Sequence, residues 1–427
     1  MNSTTILLVM ASVFELLLYS PAATAQDTIS SSFTSLQRLN AQDSLAHFGR
    51  LGFDPEVALL NILNDIKTQK LSYAQRRTEA LLRRHPNFRL AHLIHGDILL
   101  AHAKPIDGLG AGVFRVSGSK GPKVTAKLQG LYSEAHARLR AHRQNQQREP
   151  ETIPAYLWEL SPEQKNLIVM DASKARLYVF ANHKGKPRLV ADYYASQGKQ
   201  GISKQQEGDK KTPLGIYNIT NRVPKQRLSS FYGSGAFALD YPNAWDQYSG
   251  RTGSGIWLHG SPPDTYARAP QASDGCIVLS NTDILDIARH IHPGLTPIII
   301  SPEIEWLSPE QINKHRNDFK QVFESWRVDW ESRNTEHYLA HYSPRFRTTG
   351  HDRNSFAQHK RQVNSRKQWI KVDVDELSLL RSPKRDDMVV ATFRQNYQSS
   401  NFNQQSHKRQ YWIFENGVWK IIYEGAV

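Results

Sequence analysis

The spacing of apolar residues changes character twice along this chain, and no single architecture accommodates all three spacings. In "DPEVALLNILNDI" and "YAQRRTEALLRRHPNFRLAHLIHGDILLAHA" the apolar side chains recur three and four apart, the period of one helix face. Asp54 and Pro55 have the chemistry of a helix start, and His85-Pro86 breaks the second stretch into two helices. "YSEAHARLRAHRQNQQREPET" continues as a basic helix running into a polar linker. From about 161 the texture becomes that of short β-runs divided by Gly, Pro, Asn and Asp: "NLIVMD", "RLYVFAN", "PRLVADYYAS", "GIYNIT", "AFALDYP", "GIWLHGS", "CIVLS" and "TPIIIS". Only "NTDILDIARHI" reads there as a helix, opened by Asn281 or Thr282 and ended before Pro293-Gly294. From 307 a long amphipathic helix, "SPEQINKHRNDFKQVFESWRVDWESRN", precedes short helical pieces at "TEHYLAHYS" and "SFAQHKRQVNSRK". Strands follow in "IKVDVDELSLLRS", "DMVVATFRQNYQS" and "HKRQYWIFENGVWKIIYEG", the last turned at Asn416-Gly417, a tight hairpin signal. The expectation is a multidomain α+β chain: a helical N-terminal module over 26–160, a mainly β domain over 161–306, and an α+β domain over 307–427.

Residues 1–25 follow none of these patterns. "TTILLVMASVFELLLYS" is apolar apart from Glu15, and Ala23-Thr24-Ala25 is a small-x-small cleavage pattern. A cleaved signal peptide is expected, with an N-terminal membrane anchor as the alternative, because a basic n-region is missing. No other stretch approaches the roughly 20 apolar residues that span a bilayer, so the mature chain is expected to lack a transmembrane segment. The expected location is the periplasm, in association with the cell wall.

Export sharpens the meaning of Cys276, the only cysteine in 427 residues. It has no intramolecular disulfide partner, so the cores alone must hold the fold. It is either a small buried hydrophobe or a reactive thiolate. The net charge of +14 is spread along the chain instead of gathered in a tail. That distribution and export argue against nucleic acid and favour an anionic extracytoplasmic surface as partner, with plain solubility as the simpler account. His290 and His292 in "RHIHPG" lack an accompanying ligand set, so neither a metal nor a cofactor is expected.

A working thiolate needs a base, a group to orient that base, and donors for the oxyanion. His259, at the end of a β-run and followed by Gly260, stands seventeen residues before Cys276. If the two runs are neighbouring strands, the two side chains meet at their ends. Gly275, preceded by Ser273 and Asp274, permits the sharp turn that exposes the thiol and nearby N–H groups.

"HGSPPDTYARAPQASDGCIVLSN" resembles the signature of the YkuD-type L,D-transpeptidases: a histidine, a spacer, then Ser/Thr-x-Gly-Cys and an apolar residue. "GDKKTPLGIYNIT" resembles that family's Gly-Asp-x-x-Thr-Pro-x-Gly-x-Tyr segment. "LDYPNAWDQYSGRTGSGIWLHG" is similar to the stretch leading into its catalytic histidine. The three motifs run in order over roughly 163–302. The resemblance implies a β-sandwich-like catalytic domain in which Cys276 attacks the L,D bond after diaminopimelate in peptidoglycan tetrapeptide stems, releasing D-alanine. It further implies His259 as general base, the Gly260 carbonyl as its orienting group, and N–H groups near Gly275 and Cys276 as the oxyanion site. Tyr241, Trp257 and Arg251 are weaker expectations for the substrate groove. The family signature commonly has histidine where this chain has Asp274, which puts acceptor choice in doubt: an acid there would raise the thiol pKa, help hold an imidazolium, or bind a substrate amine.

The C-terminal segment resembles SnoaL-like, nuclear-transport-factor-type cones, ending in "YWIFENGVWKIIYE", and implies binding or dimerisation instead of a second activity. The N-terminal helix pair resembles half of a tetratricopeptide unit. No second copy recurs at a fixed period, so packing or oligomerisation, a homodimer included, is what it offers. The whole arrangement resembles the L,D-carboxypeptidases that trim tetrapeptides in helical and curved bacteria. An amine accepting the acyl group gives a 3-3 crosslink and water gives carboxypeptidation. Transpeptidation is placed first, carboxypeptidation close behind, and an inactive wall-binding scaffold third.

Overall fold

The computed structural model describes residues 53–103, 122–383 and 387–427. The expected signal peptide at 1–25 lies outside them. Four helices open the described chain: α1 (Pro55–Lys67), α2 (Leu71–Arg84), α3 (Arg89–Ala103) and α4 (Pro122–Gln147). Asp54 caps α1, its carboxylate accepting from the Glu56 and Val57 N–H groups, with Pro55 in the first turn where a missing N–H costs nothing. Leu59, Ile62, Leu81, Phe88, Leu90 and Ile94 form the core of this helical region.

The middle domain is an eight-stranded sheet in the order β11 (Ile277–Val278), β9 (Trp257–His259), β8 (Ala236–Leu239), β7 (Gly215–Arg222), β12 (Pro297–Ser301), β3 (Asn166–Asp171), β4 (Arg176–His183), β5 (Lys186–Tyr194). Pairing is antiparallel except for β11 with β9 and β12 with β3. Ser196, just past one edge strand, exchanges both backbone hydrogen bonds with Val278 of the other edge, at 2.9 Å each. The sheet therefore curls until its edges meet and leaves few orphan strand groups. A two-stranded parallel pair, β6 (Gln197–Gly198) with β10 (Gln271–Ser273), extends that junction toward the thiol. Two helices interrupt the strands, α5 (Ala244–Tyr248) and α6 (Asn281–Ile287). The latter is capped by Ser280 instead of Asn281 or Thr282, since the Ser280 hydroxyl accepts from the Asp283 N–H.

The C-terminal domain carries α7 (Pro309–Glu331), α8 (Thr335–Ala340) and α9 (Arg353–Ser365) against a sheet ordered β15 (His351–Asp352), β14 (Tyr342–Thr348), β19 (Val418–Ala426), β18 (Phe402–Glu415), β17 (Met388–Ser399), β16 (Ile370–Arg381), β2 (Leu157–Glu159). Ser308 and Gln311 close a capping box at the start of α7, which lays Phe319, Phe323, Trp326 and Trp330 on the sheet. Period-two alternation then explains how the domains join. Val389, Ala391, Phe393 and Trp412 face α7, while Met388, Val390, Tyr411 and Ile413 face the middle domain and meet Leu167, Val169, Tyr178 and Phe180. The β3 sequence "NLIVMD" is apolar at consecutive positions because both of its faces are covered: Ile168 and Met170 point into the middle-domain core.

Chain order and spatial order part company at one place. β2 precedes the middle domain in sequence yet forms the edge of the C-terminal sheet, pairing with β16, and β1 (Ile153–Pro154) pairs with β13 (Trp306–Leu307). Linear segmentation at 160 and 306 gives no sign of this, because two or three residues of strand carry no period.

Candidate active site

The β11–β9 pair sets the geometry. In parallel register Ile277 stands opposite Leu258 and Val278 opposite His259. Ile277 and Leu258 are fully buried in the middle-domain core. Their neighbours Cys276, Trp257 and His259 consequently share the other face, on adjacent strands. His259 is 1% exposed, and its Nδ1 lies 2.7 Å from the Gly260 carbonyl oxygen. That carbonyl can only accept, so Nδ1 carries the proton and Nε2 presents its lone pair. Burial pulls the imidazole down to about 4, against the raising effect of the Gly260 carbonyl and with help from Arg268. It is therefore neutral near pH 7, the form that can take a proton.

Cys276 is half-buried, its Sγ 3.5 Å from the Gly255 carbonyl. Burial pushes the thiol up. The Trp257 N–H, Arg268 and Lys204 pull it back, while Asp274 adds to the rise. Thiol and imidazole thus rest as a neutral pair.

The turn before the thiol is tightly built. Gly275 has φ +128°, and a Cβ there would sit 2.9 Å from the Lys211 carbonyl oxygen. The Ser273 hydroxyl donates to the Cys276 carbonyl at 2.6 Å and accepts the Gly275 N–H at 3.1 Å. The Gly275 N–H, expected at the oxyanion, is therefore already engaged. The fully buried Thr212 donates to the Gly275 carbonyl and accepts from the Gly198 N–H, both at 2.9 Å. This is the physical need for threonine in "GDKKTPLG". Asp209 of the same stretch is lowered to about 2 against its small burial penalty, by Lys204 and the Gln205, Lys211 and Gln206 N–H groups.

Asp274 is largely exposed and paired with Lys199 at 2.6 Å, which is the main reason its carboxyl lies low. Trp257 stays at the site, its ring 4.8 Å from that of Tyr232. Tyr241 and Arg251 do not stand in a groove. Tyr241 is 4% exposed within the core and donates to the Thr252 carbonyl, and the Arg251 side chain is buried against Asp246. Both residues serve packing because the stretch before His259 folds back on α5.

Several site residues were not legible in the sequence. Tyr232 stands edge-on to His259 at 5.0 Å and Phe231 lies 6.0 Å away, forming an aromatic wall. Asn281 accepts the Ser234 N–H and donates to the Ser261 carbonyl, both at 2.8 Å, fastening that wall to the histidine strand. The Arg268 guanidinium lies 4.5 Å over the Phe231 ring. No motif marks Arg268, since its spacing from Cys276 becomes meaningful only when the loop folds back.

Residues 165–300 match the L,D-transpeptidase catalytic domain of YkuD type, and residues 318–425 match the Cds6 C-terminal NTF2-like domain. The structure of Bdellovibrio bacteriovorus Bd1075 is similar at 30% identity and TM-score 0.58, the match covering 65% of this chain and 98% of that one. The helical cell shape determining protein Pgp2 from Campylobacter jejuni is similar at 25% identity and TM-score 0.55, covering 64% and 95%. No curated protein matches the chain. The chain belongs to the YkuD L,D-transpeptidase family and joins that catalytic domain to a C-terminal NTF2-like domain. Among the described residues no helix is long and apolar enough to cross a membrane.

Proposed function

We propose that this chain is an exported cysteine enzyme acting on the L,D bond after diaminopimelate in peptidoglycan tetrapeptide stems. The observation that carries it is the neutral His259, fixed through Nδ1 by Gly260, on the same sheet face as Cys276. His259 Nε2 takes the thiol proton as Sγ adds to the carbonyl carbon. With the Gly275 N–H engaged by Ser273, the Cys276 N–H is the donor assigned to the oxyanion. As the C–N bond breaks, the imidazolium returns the proton to the departing D-alanine, leaving a thioester on Cys276. Export rests on the apolar leader at 1–25 and points to the periplasm.

The acceptor follows from charge. Arg268 and Lys204 act on the thiol, and Lys199, Lys210 and Arg268 act on Asp274. Such a surround welcomes the carboxylates of the donor stem and opposes the ammonium that a transpeptidase must bring in. Asp274, which an incoming amine would need, is taken by Lys199. Water therefore resolves the acyl-enzyme, an L,D-carboxypeptidase outcome. This reverses the order drawn from sequence, and it agrees with likeness to a protein that determines helical cell shape.

Mass spectrometry of muropeptides after incubating mature protein with disaccharide tetrapeptide, beside Cys276→Ala, tests this. Tripeptide with free D-alanine is expected. Crosslinked dimers would return transpeptidation to first place, and unchanged substrate would favour the wall-binding scaffold.

A further inference from the structure

The loop between His259 and Cys276 does not pack on its own domain alone. Its apex enters the helical module: Tyr266 is 7% exposed, its ring 4.3 Å from Phe88 and 4.9 Å from His85, within the core formed by Leu59, Ile62 and Leu81. The Tyr266 N–H donates to the Asn87 carbonyl at 3.2 Å, and the Asn87 side chain donates to the Pro263 carbonyl at 2.9 Å. Gly130 of α4 allows close approach, since a Cβ there would lie 3.3 Å from that of Ala269. From the other side the catalytic sheet holds the same loop. Tyr194 donates to the Arg268 carbonyl at 2.8 Å, Ser196 to the Ala269 carbonyl at 2.5 Å, and the Gln197 N–H to the Pro270 carbonyl at 2.8 Å.

The module is itself anchored to the catalytic sheet by buried charge. Glu56 of α1 bridges Arg138 of α4 and Arg176 of β4, and Arg176 also pairs with Asp192 of β5. Arg138 lies 3.9 Å over the Tyr194 ring, the same tyrosine that holds Arg268. Backbone fastened on both sides delivers the Arg268 guanidinium onto Phe231, which neighbours His259.

We propose that the helical module is a clamp on the active-site loop, and that it acts on the chemistry by holding the Arg268 cation on the aromatic wall of the site that carries His259 and Cys276. Arg268 is then a positioning residue whose charge favours the thiolate. The inference rests on Cys276 being the reactive thiol, but not on the peptidoglycan assignment. The other charged or titratable groups facing the thiol are His259, Lys204 and Asp274 with its partner Lys199.

The test uses the full mature chain and two small alkylating probes, anionic iodoacetate and neutral iodoacetamide, at one pH near neutrality. Their rate ratio at Cys276 reports the local cation and is insensitive to a general loosening. Arg268→Gln should lower that ratio by about three- to tenfold. Tyr266→Ala should lower it equally, Tyr266→Phe should preserve it, and Tyr266→Ala with Arg268→Gln should add nothing further. Asn87→Ala, which removes only a partly exposed hydrogen bond, should give a smaller fall in the same direction and serves if Tyr266→Ala does not fold. An unchanged ratio in Tyr266→Ala or Asn87→Ala while Arg268→Gln falls would overturn the clamp. An unchanged ratio in Arg268→Gln would remove its object. Muropeptide turnover, measured separately, decides the substrate assignment.

Discussion

The buried polar network around Glu424 in the C-terminal sheet domain and the buried His259 of the middle domain are satisfied in opposite ways. Inside the C-terminal cone Glu424 accepts from Lys408 at 2.9 Å and from Gln410 at 2.7 Å, and Tyr342 bonds both Tyr338 and Glu424. Trp412 donates to Gln410, and Lys360 lies over the rings of Trp330 and Phe356. These side chains satisfy one another inside the domain. Burial pulls Lys360 down to about 8, with Lys408 adding to the fall and Glu424 opposing it only in part. In the middle domain the buried His259 has one nitrogen held and Nε2 without a hydrogen-bond partner among the described residues. A closed network rigidifies a fold, whereas a base left with one open valence beside a half-buried thiol is available for chemistry. On the proposed function, the reaction belongs to the middle sheet and the C-terminal network to structure.

Breaking the open side should have the largest effect. Cys276→Ala should lower release of D-alanine by about four orders of magnitude with unchanged thermal stability, because Cys276 is the only thiol in the chain. Gly275→Ala should cost about 10²-fold in kcat, since φ +128° and the Lys211 carbonyl both resist a Cβ. A loss confined to KM would mean that the turn binds substrate without aligning the thiol. Breaking the closed side should leave chemistry alone. Glu424→Gln leaves the half-buried Lys408 and Lys360 without their buried counter-charge and should destabilise by about 1–3 kcal/mol in denaturant unfolding, with the folded fraction still turning over normally. Loss of turnover per folded molecule would refute the division of labour.

The pH dependence sharpens the same contrast. His259 is held neutral in the folded state and titrates near its ordinary value when unfolded, so between those values the unfolded chain binds the extra proton. Stability should therefore fall as pH drops from about 6.5 toward 4 and flatten below, and His259→Gln should reduce that slope. The smallest effect belongs to Asp274→Asn. Its salt bridge to Lys199 is exposed, so stability should move by less than about 0.5 kcal/mol and D-alanine release by less than about threefold. A gain of crosslinked product in that variant would show that an acceptor amine does not need Asp274, and would overturn the charge argument for water as acceptor.

Much of this was readable in the chain. The helical, β and α+β textures each correspond to a region of that kind, because hydrophobic period is a local property fixed by helix and strand geometry. The pairing of His259 with Cys276 was legible because both stand at the ends of β-runs, and Gly275 because a sharp turn needs positive φ there. Tyr241 and Arg251 were misplaced since a tyrosine or arginine near a catalytic strand has the same local signature whether it lines a groove or fills a core.

What the amino-acid sequence by itself determined was the three regional textures, with their long helices and strands, and the placing of Cys276 and His259 on neighbouring strands. Tertiary structure alone decided that β2 closes the C-terminal sheet, that Tyr266 is a core residue of the helical module, and that Arg268 reaches the wall beside His259. The reason is range. Helix caps, strand alternation and glycine turns depend on neighbours a few residues away, whereas Tyr266 meets Phe88 and Arg268 meets Phe231 only after distant segments have packed, and nothing in the local pattern records which distant surface a loop will find.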